Sequence, residues 1–108
     1  MKLYLDTTDN TKTIVKIDDK EFVKNYSTPR DQQILQVIDE ALTKVGATKE
    51  DLTSIQVNPG PGSFTGTRVG VAVANALAFA LKIPINDQQP PVIPIYDKEP
   101  NITKSKKL

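Results

Sequence analysis

Cysteine and histidine are both absent from this 108-residue chain. Without cysteine, disulfides, thiolate chemistry and cysteine-bound zinc are excluded. Without histidine, the commonest general base and the commonest metal ligand are missing, so neither a metal nor a cofactor is expected. Neither sign of charge dominates: 14 basic and 13 acidic residues leave a net charge of +1, which makes no basic field for nucleic acid. Asn75 and Lys82 interrupt the longest apolar run before it reaches the roughly 18 residues of a membrane span. Lys2 is followed by only three apolar residues before Asp6, too few for a signal peptide. The expectation is one cytoplasmic domain with no membrane contact, burying roughly two-thirds of its unfolded surface.

Glycine is scarce as well, and its placement is the strongest signal. Four of the five glycines, with two prolines, fall in the thirteen residues Asn58-Pro59-Gly60-Pro61-Gly62-Ser63-Phe64-Thr65-Gly66-Thr67-Arg68-Val69-Gly70. The stretch joins an apolar run, Ile55 to Val57, to an apolar helical pattern from Val69 to Leu81. Two phosphate grips can be tested by counting. A Walker A loop starting at Gly60 needs glycine where Thr65 stands and then a lysine, which does not follow. The dinucleotide fingerprint from Gly60 and Gly62 also requires glycine at 65. Two readings stay open: a generic anion nest made by Ser63, Thr65 and nearby amides, or glycines that let helix pack tightly on strand.

Around the loop the pattern is that of an α/β domain. Leu3-Tyr4-Leu5 reads as a short buried strand ending at the turn-forming Asp6-Thr7-Thr8-Asp9-Asn10. Thr13 to Ile17 and Glu21 to Tyr26 are strand-like, and Asp18-Asp19-Lys20 links them as a hairpin. The period then changes. Thr28, Pro29 and Asp31 supply a helix start, Ile34, Leu35, Val37, Ile38, Ala41, Leu42 and Val45 follow at helical spacing, and Gly46 is a left-handed stop. Thr48-Lys49-Glu50-Asp51 caps a short turn before the strand Ile55-Gln56-Val57. Ser63 or Thr65 caps the second helix, which runs to about Lys82 and stops before Pro84. Asp87 to Pro91 reads as a linker, Val92 to Tyr96 as an edge strand, and the lysine-containing end as a solvated tail.

At 100° per residue, Gly66, Gly70, Val73, Leu77, Ala80 and Leu81 share one side of the second helix and suit close packing on a sheet. The other side carries Arg68, Ala72, Asn75, Phe79 and Lys82, flanked by Val71 and Ala78. One sheet cannot cover two apolar faces. Either the first helix covers the second face or another protein does.

The thirteen-residue stretch, followed by Ala72, Ala74, Leu77-Ala78-Phe79 and Ile83-Pro84, resembles the TsaB (YeaZ) family. The specific part is Gly60-Pro61-Gly62-Ser63-Phe64-Thr65-Gly66 with Arg68-Val69-Gly70 just after it. Leu5-Asp6-Thr7-Thr8 resembles the family's opening strand and turn, and the similarity runs from residue 1 to about 85. Pro94-Ile95-Tyr96 is similar to the family's C-terminal segment, with Asp97-Lys98 where Leu-Arg is usual. The resemblance implies a single actin-like (RNase H-like) domain with a mixed five-stranded sheet, order 3-2-1-4-5, and two main helices. It implies residues 1–86 as that domain, residues 87–91 in place of a second one, and residues 92–108 as strand and basic tail.

It also implies a non-catalytic pairing subunit in making threonylcarbamoyladenosine in tRNAs that read codons beginning with A. The partners implied are a TsaD-like catalytic subunit and a TsaE-like ATPase, with tRNA met only through the complex. Val71, Ala72, Asn75, Ala78 and Phe79, with Val37 and Ala41 of the first helix, are the expected partner-binding residues. Exposed helix surface also predicts a homodimer when the chain is alone. The alternative is an actin-like ATP-binding enzyme acting as a dimer, with Asp6, Thr7 and Thr8 as the vestigial phosphate site. A peptidase reading has only Ser63, with no histidine to activate it. A tRNA-binding module would rest on Lys104, Lys106 and Lys107, whose attraction is weak and salt-sensitive.

Overall fold

Alternation along the strands builds the first layer. The structure, a computed structural model, describes residues 1–9, 11–26 and 33–95. In β1 (Lys2–Asp6) and β2 (Lys12–Ile17), the buried Leu3, Leu5, Thr13, Val15 and Ile17 alternate with more exposed residues, as a period of two requires. β3 (Lys20–Asn25) pairs antiparallel with β2, and β2 with β1. β4 (Ser54–Val57) pairs parallel with β1, setting Leu3 beside Ile55 and Leu5 beside Val57. The order is β3-β2-β1-β4. The turn between β2 and β3 places Asp18 in the left-handed region at φ 54°, where its carboxylate accepts the Lys2 N–H at 2.9 Å.

Two helices cover the buried side of this sheet. Helix α1 (Ile34–Lys44) lies over β2 and buries Ile34, Val37, Ile38, Ala41 and Leu42. It stops as expected at Gly46, φ 74°: the Ala47 N–H reaches the Leu42 carbonyl at 2.9 Å and the Gly46 N–H reaches that of Thr43 at 3.0 Å. The expected cap at Thr28, Pro29 and Asp31 lies outside the described residues. One turn of 3-10 helix (Lys49–Asp51) precedes β4, with the Asp51 carboxylate accepting the Thr48 N–H at 2.9 Å. Helix α2 (Phe64–Leu81) crosses β4 and β1. Ser63 is its N-cap, accepting the Gly66 N–H at 3.2 Å, and left-handed Lys82, φ 59°, ends it.

Asn75 does not disqualify α2 from a membrane span as the residue count suggested. The 18-residue helix is long and apolar enough to cross a bilayer by length and composition. In this fold one face of it packs into the core, with Val71, Ala74 and Ala78 at most 2% exposed against the sheet layer.

The expected fifth strand needs correction. Among the described residues the sheet has four strands, and residues 92–95 are not one of them; Tyr96 and the tail lysines Lys104, Lys106 and Lys107 lie outside the described residues. The place beside β4 is taken by Ile85 alone, through a parallel bridge to Ile55. The Asn86 side chain then stands in for the next strand residue. Its Oδ1 accepts the Val57 N–H at 2.8 Å and its Nδ2 donates to the Val57 carbonyl at 3.0 Å. A carboxamide carries the donor and acceptor of one peptide, so the mimicry goes one step and ends. Left-handed Asn86 (φ 50°) and Asp87 (φ 63°) turn the chain back, with Ile85 and Gln88 exchanging main-chain hydrogen bonds. Residues 90–95 therefore run to α2 instead of along β4.

Candidate functional site

The end of β1 meets the glycine loop and the start of α2, and Thr7 ties them together. Its side chain is buried, and its hydroxyl donates to the Gly66 carbonyl at 2.6 Å. A Cβ at position 70 would overlap the Thr7 side chain, and one at 66 the Thr7 carbonyl. Gly66 and Gly70 are thus explained by close approach of helix to strand. Gly62 is likewise crowded by Thr8, whose carbonyl accepts the Ser63 N–H at 2.7 Å. Gly60, φ 106°, lies against the main chain of Ile95, with Pro61 next to it at the loop surface.

Asp6 sits at the centre of the junction with its oxygens committed. Oδ1 accepts the Thr8 N–H at 2.9 Å and the Thr8 hydroxyl at 2.7 Å. Oδ2 accepts the Asn58 amide at 3.1 Å and, more weakly, the Tyr4 hydroxyl at 3.4 Å. Burial alone would raise the Asp6 carboxyl, but hydrogen bonds from the Thr8 backbone and hydroxyl, then Asn58 and Tyr4, outweigh it and hold the group below its ordinary value. Burial, followed by the charge of Asp6, pushes the Tyr4 hydroxyl up. The Gly60 N–H is turned inward onto Asn58 Oδ1 at 3.1 Å. The polar groups of Asp6, Thr7, Thr8 and Asn58 are thus satisfied internally, whereas the buried Thr67 hydroxyl in the first turn of α2 has no hydrogen-bond partner among the described residues. Among the described residues no group of three or more acidic, histidine or cysteine side chains could hold a metal.

The expected partner residues divide into two sets. Val37, Ala41, Val71 and Ala78 are 6%, 1%, 2% and 1% exposed, so their expected contact with a partner is corrected: they form the core. The reason is the rotation of α2. The buried stripe keeps Gly66 and Gly70 on Thr7, as spacing selected, but is centred further round the helix and takes in Thr67, Val71, Ala74 and Ala78. Ala80, assigned to the sheet side, is exposed, while Val73, Leu77 and Leu81 are half-buried. The second set stays on the surface. Phe79 is 79% exposed and Ala72 is exposed. Asn75 is half-buried and hydrogen-bonded to Val92. Phe64 and Val69 add apolar surface, with the Arg68 guanidinium 5.1 Å from the Phe64 ring centre and Thr65 exposed beside it.

Tyr4, Asn58 and Asn86 take structural parts that residue spacing did not assign them. Asn58 had a local signal, since an asparagine before Pro-Gly favours a side-chain turn. Asn86 had none, because its partner Val57 is 29 residues away.

The family described as TsaD: tRNA N6-adenosine threonylcarbamoyltransferase matches residues 26–87. The chain is 37% identical over 54 residues to the tRNA threonylcarbamoyladenosine biosynthesis protein TsaB of Escherichia coli (strain K12), which covers 50% of this chain and 23% of that protein. Against TsaB of Bacillus subtilis (strain 168) the identity is 32% over 88 residues, covering 78% of this chain and 38% of the relative. The solved structure of YeaZ from Pseudomonas aeruginosa superposes with a TM-score of 0.65 at 29% identity, covering 78% of this chain and 41% of that one. The chain thus spans less than half the length of these relatives.

Proposed function

Because the chain belongs to the family of TsaD-type tRNA N6-adenosine threonylcarbamoyltransferases and their TsaB (YeaZ) relatives, we propose that it serves tRNA threonylcarbamoyladenosine biosynthesis as a non-catalytic pairing subunit. The observation that carries this reading is Phe79, 79% exposed on a helix whose charged side chains number one, Arg68. An aromatic side chain left in water on an apolar helix is surface of the kind that protein interfaces cover. In this reading the exposed strip through Ala72 and Phe79 docks on a TsaD-like catalytic subunit, and a TsaE-like ATPase joins the assembly. Transfer RNA is met through the complex, and a second copy of the chain covers the strip when the catalytic subunit is absent.

The β1 junction supports the non-catalytic part. Asp6, Thr7 and Thr8 spend their polar groups on one another, Asn58 and Gly66, and Ser63 spends its hydroxyl oxygen as a helix cap. The test is calorimetric titration with the TsaD-type transferase of the same organism. Phe79→Glu or Ala72→Arg is expected to weaken pairing at least about tenfold with the melting temperature unchanged, and full pairing by both variants would remove the α2 assignment. Magnesium and ATP are expected to give no binding heat with the chain alone. Heat that Asp6→Ala abolishes would restore the enzyme reading.

A further inference from the structure

Part of the outer side of α2 is already occupied, and the occupant is the chain itself. Asn75 Oδ1 accepts the Val92 N–H at 2.7 Å and Asn75 Nδ2 donates to the Val92 carbonyl at 2.9 Å. One side chain thereby satisfies both main-chain groups of one residue. Further along, the Ile95 N–H donates to the Pro59 carbonyl in the glycine loop, and Pro94 lines a hollow shared with Thr65, Arg68 and Ala72. Val92 turns inward at 7% exposure, whereas Ile93 and Ile95 remain 71% and 52% exposed. The segment alternates like a strand but belongs to no ladder.

We propose that residues 91–95 are a detachable strap, latched by Asn75, which occupies in cis part of the α2 surface that a partner takes, so that strap release and pairing are one linked equilibrium. The inference rests on the α2 docking reading above. Pro90, Pro91 and Pro94 keep the segment extended and lack the N–H groups that would anchor a strand. Lifting it strands no charge, because the neutral carboxamide of Asn75 and the Val92 peptide can both turn to water or to a partner's backbone. Exposed Ile93 and Ile95 give the released segment apolar surface of its own. A ligand that needs the open form binds with an affinity reduced by the open fraction, so loosening the latch raises apparent affinity until the open form dominates.

The test uses the full chain. Asn75→Ala is expected to speed hydrogen exchange at the Val92 and Ile95 amides together, by about tenfold or more, with the β1 amides unchanged. Apparent affinity for the same TsaD-type transferase should rise with it. Val92→Gly loosens the latch from the strap's side without altering α2, and should act in the same direction on both readouts. Exchange at Val92 and Ile95 that changes only in step with the β1 amides would overturn the strap. Faster exchange in both variants with unchanged affinity would overturn the coupling and leave the docking reading standing. Full pairing by Phe79→Glu and Ala72→Arg removes the docking reading instead, and the coupling with it.

Discussion

Thr7 and Gly70 form a contact in which neither residue has room to grow. The Thr7 hydroxyl bonds the Gly66 carbonyl at 2.6 Å, and the same hydroxyl oxygen fills the place of a Gly70 Cβ. Gly70→Ala should therefore destabilise the domain by about 2–3 kcal/mol despite the better helix propensity of alanine. Adding Thr7→Ala should recover part of that loss, because the two changes share one space. Urea unfolding of the single and double variants measures both values. The Asp6 carboxyl is a second point where one residue has a global readout. Its folded pKa is lowered, so in acid the unfolded chain binds the extra proton and stability rises with pH. The contribution is fully present above the unfolded pKa, about 3.9, and is lost as pH falls through the folded value. The stability gap between wild type and Asp6→Asn is thus expected to shrink on acidification from pH 6, and a constant gap would contradict the assignment.

Elements were legible in the sequence wherever their cause is local. The Gly46 stop, the Ser63 cap and the Asp51 side chain on the Thr48 amide all act within five residues, and each followed from residue type and position. The four strands and their order, β3-β2-β1-β4, likewise match period and resemblance. The fifth strand was not legible, because a carboxamide in Asn86 replaces a peptide beside Val57 and two left-handed residues then turn the chain away. At the far end of α2, Lys82 holds φ 59°, a conformation that costs a residue with a Cβ about 1 kcal/mol more than glycine. Lys82→Gly should accordingly stabilise the chain by about that amount in thermal or urea unfolding.

For the whole molecule, burial separates residues that hold the fold from residues that can meet a partner. Val71 and Phe79 lie on the same apolar helix, one 2% and the other 79% exposed. Val71→Asp would bury a charge without a partner, at a cost of about 3–5 kcal/mol, and should abolish pairing only by unfolding the chain. Phe79→Glu should weaken pairing with the fold intact. Circular dichroism on both variants, beside the titration, tells the two outcomes apart.

The sequence by itself determined the class of fold, the order of the four strands and two helices, the C-terminal stops of both helices, the Ser63 cap and the family motif around Gly60 to Gly70, since periodicity, capping and turn chemistry operate over a few neighbouring residues. Tertiary structure alone decided how far round α2 the buried stripe extends: it takes in Val71 and Ala78, while Arg68, Ala72 and Phe79 face water as spacing selected. That extent is set by packing between segments distant in sequence, as where Thr7 meets Gly66, 59 residues away. The same distance in sequence hid the strap: Asn75 is a polar interruption until the fold brings Val92 to it.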